Sequence, residues 1–93
     1  MDKTMDVITV SIVSDSEMKK LNKKYRGKEY PTDVLSFNLN EKLPDGGFCL
    51  GEVIVNKAQA KRQAKDYGNS FEEEIADLVG HGVLHLMGVH HKE

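Results

Sequence analysis

Hydrophobic and polar positions change their period several times along this chain, and each change marks an element. Residues 7–13, V-I-T-V-S-I-V, are rich in β-branched side chains and predict a strand. Ser14 or Asp15 then caps a helix running to about Tyr25, with Met18 and Leu21 facing inward and Lys19, Lys20, Lys23 and Lys24 outward. Val34 to Leu39 reads as a second strand, N-E-K-L-P-D-G-G as a turn, and Phe48 to Val55 as a third strand closing a hairpin. Asn56 caps a helix that ends near Gly68. Ser70, with Glu73 three residues later, forms a capping box for a last helix continuing through His85 to about Met87. On that helix Phe71, Ile75, Leu78, Val79, Gly82 and Leu86 fall on one stripe, and Glu74, His81 and His85 lie along its edge.

The order β-α-β-β-α-α predicts an α+β domain: a small mixed β-sheet with helices packed on it, on one side, and the last helix as the candidate metal-binding element. Ninety-three residues suit one domain, residues 1–93, with a single modest core. A net charge of −2, a charged fraction of 30% and a hydrophobic fraction of 39% exclude a disordered or membrane-embedded class. No apolar run approaches a bilayer span, and M-D-K-T-M-D lacks the basic start and apolar stretch of a signal peptide, so a cytoplasmic address is expected. The single cysteine, Cys49 in F-C-L-G-E-V-I-V, is expected to be an interior strand residue rather than a ligand or redox group.

The candidate chemistry lies at the end of the chain, where His81, His85 and His91 are spaced H-x3-H-x5-H. Imidazoles four apart on a helix share a face, and Gly88 can end the helix so that the chain brings the third one in. Three nitrogens with an open position are the mark of a catalytic ion site, in which a bound water is acidified. Zinc is favoured, although nickel, copper and iron also accept three nitrogens. The spacing is that of the metzincin proteases, H-E-x-x-H-x-x-G-x-x-H, except that Gly82 stands where their glutamate general base belongs. The usual peptidase mechanism is thereby removed.

Three segments, Y-R-G-K-E-Y-P-T-D-V-L-S-F at 25–37, L-G-E-V at 50–53 and H-G-V-L-H-L-M-G-V-H-H at 81–91, resemble the YbeY family of bacterial metal-dependent endoribonucleases. The resemblance runs in order over nearly the whole chain. It implies a small α+β domain acting on single-stranded RNA in ribosomal RNA maturation and ribosome quality control, with ribosomal RNA or the small ribosomal subunit as partner. It places one Zn2+ on His81, His85 and His91 and a functional arginine at Arg26. The chain departs from the family in three ways: His90 stands where an aspartate usually precedes the third histidine, Glu52 replaces an aspartate, and the family's strand and helix ahead of the first strand are expected to be missing. A narrower sheet would leave an edge to be paired in a homodimer or covered by a partner.

Charge supports phosphate chemistry through its distribution. Six cations fall in residues 19–28 and four in residues 57–65, together ten of the thirteen basic residues. Arg26 offers a guanidinium that forks onto two phosphate oxygens, while Lys23, Lys24 and Lys28 are candidates for tracking the backbone and Tyr30 or Phe37 for base stacking. The second cluster suits a solvated helix face equally well. The expected function is a metal-dependent, single-strand-specific endoribonuclease. The alternatives are a metallopeptidase-like hydrolase, disfavoured by Gly82, and a non-catalytic RNA- or ribosome-binding module with a structural metal.

Overall fold

The computed structural model describes residues 6–88. Strand β1 (Val7–Val13) is followed by helix α1 (Asp15–Arg26), strands β2 (Val34–Lys42) and β3 (Phe48–Asn56), and helices α2 (Lys57–Tyr67) and α3 (Phe71–Leu86). The α+β order expected from the sequence is present, with the strands forming one mixed sheet ordered β1-β3-β2. β3 lies between a parallel β1 and an antiparallel β2.

Local chemistry sets the helix ends. Ser14 caps α1 in a full capping box with Glu17, and Gly27 closes the helix in the left-handed conformation (φ 70°) with its N–H directed at the Asn22 and Lys23 carbonyls. Ser70 and Glu73 make the second capping box, at the start of α3. β2 runs three residues past the predicted Leu39, because Asn40 takes a positive φ of 52° within a break in register between Asn38 and Glu41, and pairing then resumes to Lys42.

Helices cover both faces of the sheet, not one. Met18, Leu35 and Ile54 form a core beneath α1, joined by Val13, Leu21 and Phe37. Val53, Val55, Ala60 and Leu78 form a second core beneath α2 and α3. The reason is in the alternation of β3: consecutive residues Val53, Ile54 and Val55 are all buried, which a strand achieves only with cover on each side. Cys49 is buried in β3, as expected. On β1, one of the sheet's two outer strands, Val10 and Ile12 stay about half exposed, and among the described residues no strand pairs with its far edge.

Asn56 joins the layers. It is fully buried; its side-chain oxygen accepts from Gln59 N–H to cap α2, and its Nδ2 donates to Asp15 Oδ1 at 2.6 Å and to the Thr32 carbonyl at 3.1 Å. Its own N–H donates to the Asp33 carbonyl at 2.8 Å. The loop leading into β2 is therefore held by one amide. Asn22, also fully buried, holds the loop's earlier part by donating from Nδ2 to the Tyr30 carbonyl at 2.7 Å.

Candidate active site

The second half of α3 approaches the sheet more closely than any side chain at position 82 allows. A Cβ built on Gly82 would stand 2.6 Å from Val53 Cγ1 and 3.0 Å from Ser36 Oγ. The Ser36 hydroxyl donates to the Gly82 carbonyl at 3.1 Å, fastening the helix to β2 between His81 and His85. A second glycine works from the strand: a Cβ on Gly51 would collide with the Phe37 carbonyl oxygen and lie 2.7 Å from Leu86 Cδ2. The glycines of L-G-E-V and H-G-V-L-H thus face each other's elements and let α3 settle on the hairpin. The metzincin glutamate has no room here, so the helix seat itself excludes the peptidase general base.

His81 and His85 lie one turn apart on α3 and both are exposed. At roughly 100° per residue, each points within about 20° of the direction of Glu74. Glu74 is nonetheless buried, at 4% exposure, where Asn69 Nδ2 donates to its Oε1 at 3.3 Å. One helical face is therefore closed at its first end, where Ala60 of α2 joins Leu78, Phe71 and Ile75, and open at its second, where the histidines stand. The histidines are two imidazoles with the spacing of ligands to a borderline ion, which is a fit for two members of a three-nitrogen set. The expected third ligand, His91, and its neighbour His90 lie outside the described residues; among the described residues no group of three or more histidine, cysteine or carboxylate side chains is placed to hold an ion. α3 ends at Leu86, and Gly88 follows with φ 83°.

A cleft of about 360 Å³ opens beside this end of α3, lined by His85 and Leu86 of α3, Arg26 of α1, and Val34, Leu35, Ser36 and Asn38 of β2. Arg26 reaches it because it is the last residue of α1, with Gly27 turning the chain away immediately afterwards. Residues 59 positions apart in sequence, Arg26 and His85, thus line one cavity. Ser36 and Asn38 were not singled out from the sequence. The signal was available, because Val34, Ser36 and Asn38 share the α3-facing side of β2, and polar residues at such positions mark a wet cleft.

The predicted cations of α1 and of the loop after it flank Arg26 in sequence but lie outside the cleft lining. Lys23 pairs with Glu29 at 3.1 Å on the surface, Lys24 lies 5.1 Å from the Tyr25 ring centroid and Lys28 6.0 Å from that of Tyr30. Tyr30 is exposed, whereas Phe37 is half-buried against Tyr25 with ring centroids 4.8 Å apart. The second basic cluster is structural in part: Arg62 Nη2 lies 3.3 Å from both Asp15 oxygens and binds Gln59, and Lys61 lies over Phe71. Asp15 is held below the ordinary carboxylate range, first by the hydrogen bond from Asn56 and then by Arg62. Glu73 is also lowered, by the Ser70 backbone and hydroxyl in the capping box.

A family model described as "Endoribonuclease YbeY" matches residues 1–93. The chain belongs to the YbeY family. Among curated YbeY relatives named "Endoribonuclease YbeY", that of Thermodesulfovibrio yellowstonii is 45% identical over 86 residues, covering 92% of this chain and 54% of that protein. The YbeY protein of Aquifex aeolicus is 45% identical over 87 residues, with 92% and 57% covered. That of Halalkalibacterium halodurans is 46% identical over 93 residues, with 90% and 58% covered. The chain therefore spans little more than half the length of these relatives. The fold is also that of a solved protein from Thermotoga maritima, matched with a TM-score of 0.61 and 39% identity over 91% of this chain and 53% of that one. Among the described residues, no helix is long and apolar enough to cross a membrane.

Proposed function

We propose that the chain is a metal-dependent endoribonuclease that cuts single-stranded RNA in ribosomal RNA maturation and ribosome quality control, in the cytoplasm where ribosomes mature. The observation that carries this reading is the convergence of Arg26 and His85 on one cleft. YbeY relatives that carry an endoribonuclease name support it. Ribosomal RNA, free or in the small subunit, is the substrate class.

His81, His85 and His91 are the residues that would hold a zinc ion. When bound, that ion supplies Lewis acidity and positive charge at the scissile phosphate. The chain's own part is to bind and orient. The Arg26 guanidinium donates from its fork to two phosphate oxygens and stays charged at any working pH, and its attachment to the end of a capped helix fixes where the phosphate sits. Lys23, Lys24 and Lys28 hold the flanking phosphates; the Lys23–Glu29 pair is exposed, so it exchanges easily for a phosphate partner. Leu86, Val34 and Leu35 limit water on the other side of the cleft.

The test is cleavage of end-labelled single-stranded RNA by the purified chain, with and without chelator, beside His85→Ala, Arg26→Ala and Arg26→Lys. Loss of a guanidinium that stabilises phosphate charge is expected to lower the rate by about 10²–10³-fold, with lysine restoring only a small part. Chelation and His85→Ala should abolish cutting. Cleavage that survives chelator and all three substitutions would overturn the reading.

A further inference from the structure

A second cavity, of about 290 Å³, lies on the α1 side of the β2–β3 hairpin and has no part in the ribonuclease mechanism above. Leu21 and Ile54 give it aliphatic walls, Tyr25 and Phe37 aromatic ones, and Glu52 a single carboxylate. Its size is at the small end of ligand pockets, which begin at about 300 Å³, and suits one ring system rather than an extended ligand. Apolar walls, a pair of rings and one acceptor at the margin are what hold a flat heteroaromatic base with N–H donors on its edge.

Glu52 is placed for that task by the sheet. It stands directly opposite Phe37 in the β2–β3 register, on the same face. Ser11 Oγ donates to Glu52 Oε2 at 3.2 Å from the neighbouring strand, which fixes the carboxylate, while a carboxylate accepts about four hydrogen bonds and so retains capacity for a ligand. Asn38 borders both this cavity and the cleft of Arg26 and His85. β2 is an edge strand of the sheet, so a nucleotide chain passing around that edge at Asn38 can set a phosphate in one cavity and a neighbouring base in the other. Lys24, over the Tyr25 ring, adds positive charge beside the second cavity.

The acceptor selects among bases. Guanine alone presents two adjacent donors, N1–H and N2–H, on its Watson–Crick edge; adenine and cytosine place a ring acceptor beside their amino group, and uracil flanks its one N–H with carbonyls. We propose that this cavity is a guanine subsite, with Glu52 accepting from N1–H and N2–H of a base held against Tyr25 and Phe37, next to the phosphate cleft. The proposal rests on the ribonuclease reading of that cleft.

Two measurements on the purified chain test it. Titration with guanosine, adenosine, cytidine and uridine monophosphates, followed by amide chemical shifts, should move Leu21, Phe37 and Glu52 with guanosine monophosphate only, and Glu52→Gln should remove the response while leaving the rest of the spectrum in place. Mapping cleavage ends on a single-stranded RNA of mixed sequence should show cuts concentrated beside guanines, with that preference falling about tenfold in Glu52→Gln. RNA cleavage with no base preference, or a preference unchanged by Glu52→Gln and Tyr25→Ala, overturns the subsite and leaves the ribonuclease reading standing. A guanosine monophosphate response at this cavity in a chain that never cuts RNA overturns the ribonuclease reading and supports the subsite.

Discussion

The hydroxyl of Ser36 in β2 donates to the main-chain carbonyl of Gly82 in α3 at 3.1 Å, a bond possible only because position 82 has no side chain between helix and sheet. Its effect on the site is direct, since Gly82 lies between the two histidines and β2 carries the cleft's other wall. Replacing Ser36 by alanine should cost about 0.5–1.5 kcal/mol, seen as a lower urea midpoint with an unchanged slope.

Gly82→Ala sets two effects against each other. Alanine favours a helix over glycine by about 1 kcal/mol. Against this, its Cβ would meet Val53 Cγ1 at 2.6 Å in a packed core, and such overpacking costs about 1–3 kcal/mol. The clash should prevail, giving a net loss of up to about 2 kcal/mol, and Val53→Ala in the same chain should recover part of it. A double-mutant cycle by urea unfolding measures this; additive losses would show that the two positions do not press on one another. Gly82→Glu should be far worse, with no gain of peptidase activity, because the carboxylate would be forced between α3 and β3.

Gly51→Ala should destabilise more than Gly82→Ala. Its Cβ meets the Phe37 main-chain carbonyl, which belongs to the β2–β3 ladder and cannot swing aside as the Val53 methyls can, and it also meets Leu86. Thermal melts of the two variants at equal concentration give the order directly. If Gly51→Ala melts with the parent protein, the close seat of Leu86 on β3 is wrong.

Asn56→Ala should lose about 2–4 kcal/mol. It removes the α2 cap, worth about 0.5–2 kcal/mol, takes the donor from the part-buried Thr32 carbonyl, and leaves Asp15 Oδ1 to Arg62 alone. Asn56→Asp keeps the cap but sets a second carboxylate against Asp15, so it should recover only part of the loss. Chemical denaturation of both variants checks the order.

The elements were legible because each begins with its own signal: Ser70 with Glu73, Asn56 ahead of α2, and the β-branched run of β1. The two-sided cover of the sheet was missed because element order alone does not say on which face a helix falls; the consecutive burial of Val53, Ile54 and Val55 does. Arg26 and His85 were each legible from motif, but their shared cleft depends on the approach of α3 to β2, which two glycines permit and no periodicity reveals. Gly82 shows the difference most clearly. In sequence it is a missing catalytic base, whereas in the fold it is a contact surface.

Stability in acid should depend on two carboxylates far from the cleft. Asp15 is held below its ordinary value of 3.8 by the Asn56 hydrogen bond and then by Arg62, and Glu73 below 4.5 by Ser70. A carboxyl group whose folded value lies under its unfolded one stabilises the fold fully above the unfolded value and loses that contribution as pH falls through the folded one. Stability should therefore decline from about pH 5 downward. Asp15→Asn and Glu73→Gln should each lower stability at pH 7 and flatten part of that decline, and the pair together should flatten more. Urea midpoints at pH 7, 5, 4 and 3 (roughly the span over which free carboxylates titrate) measure the effect. An acid limb equally steep in the parent and the double variant would assign it to other groups.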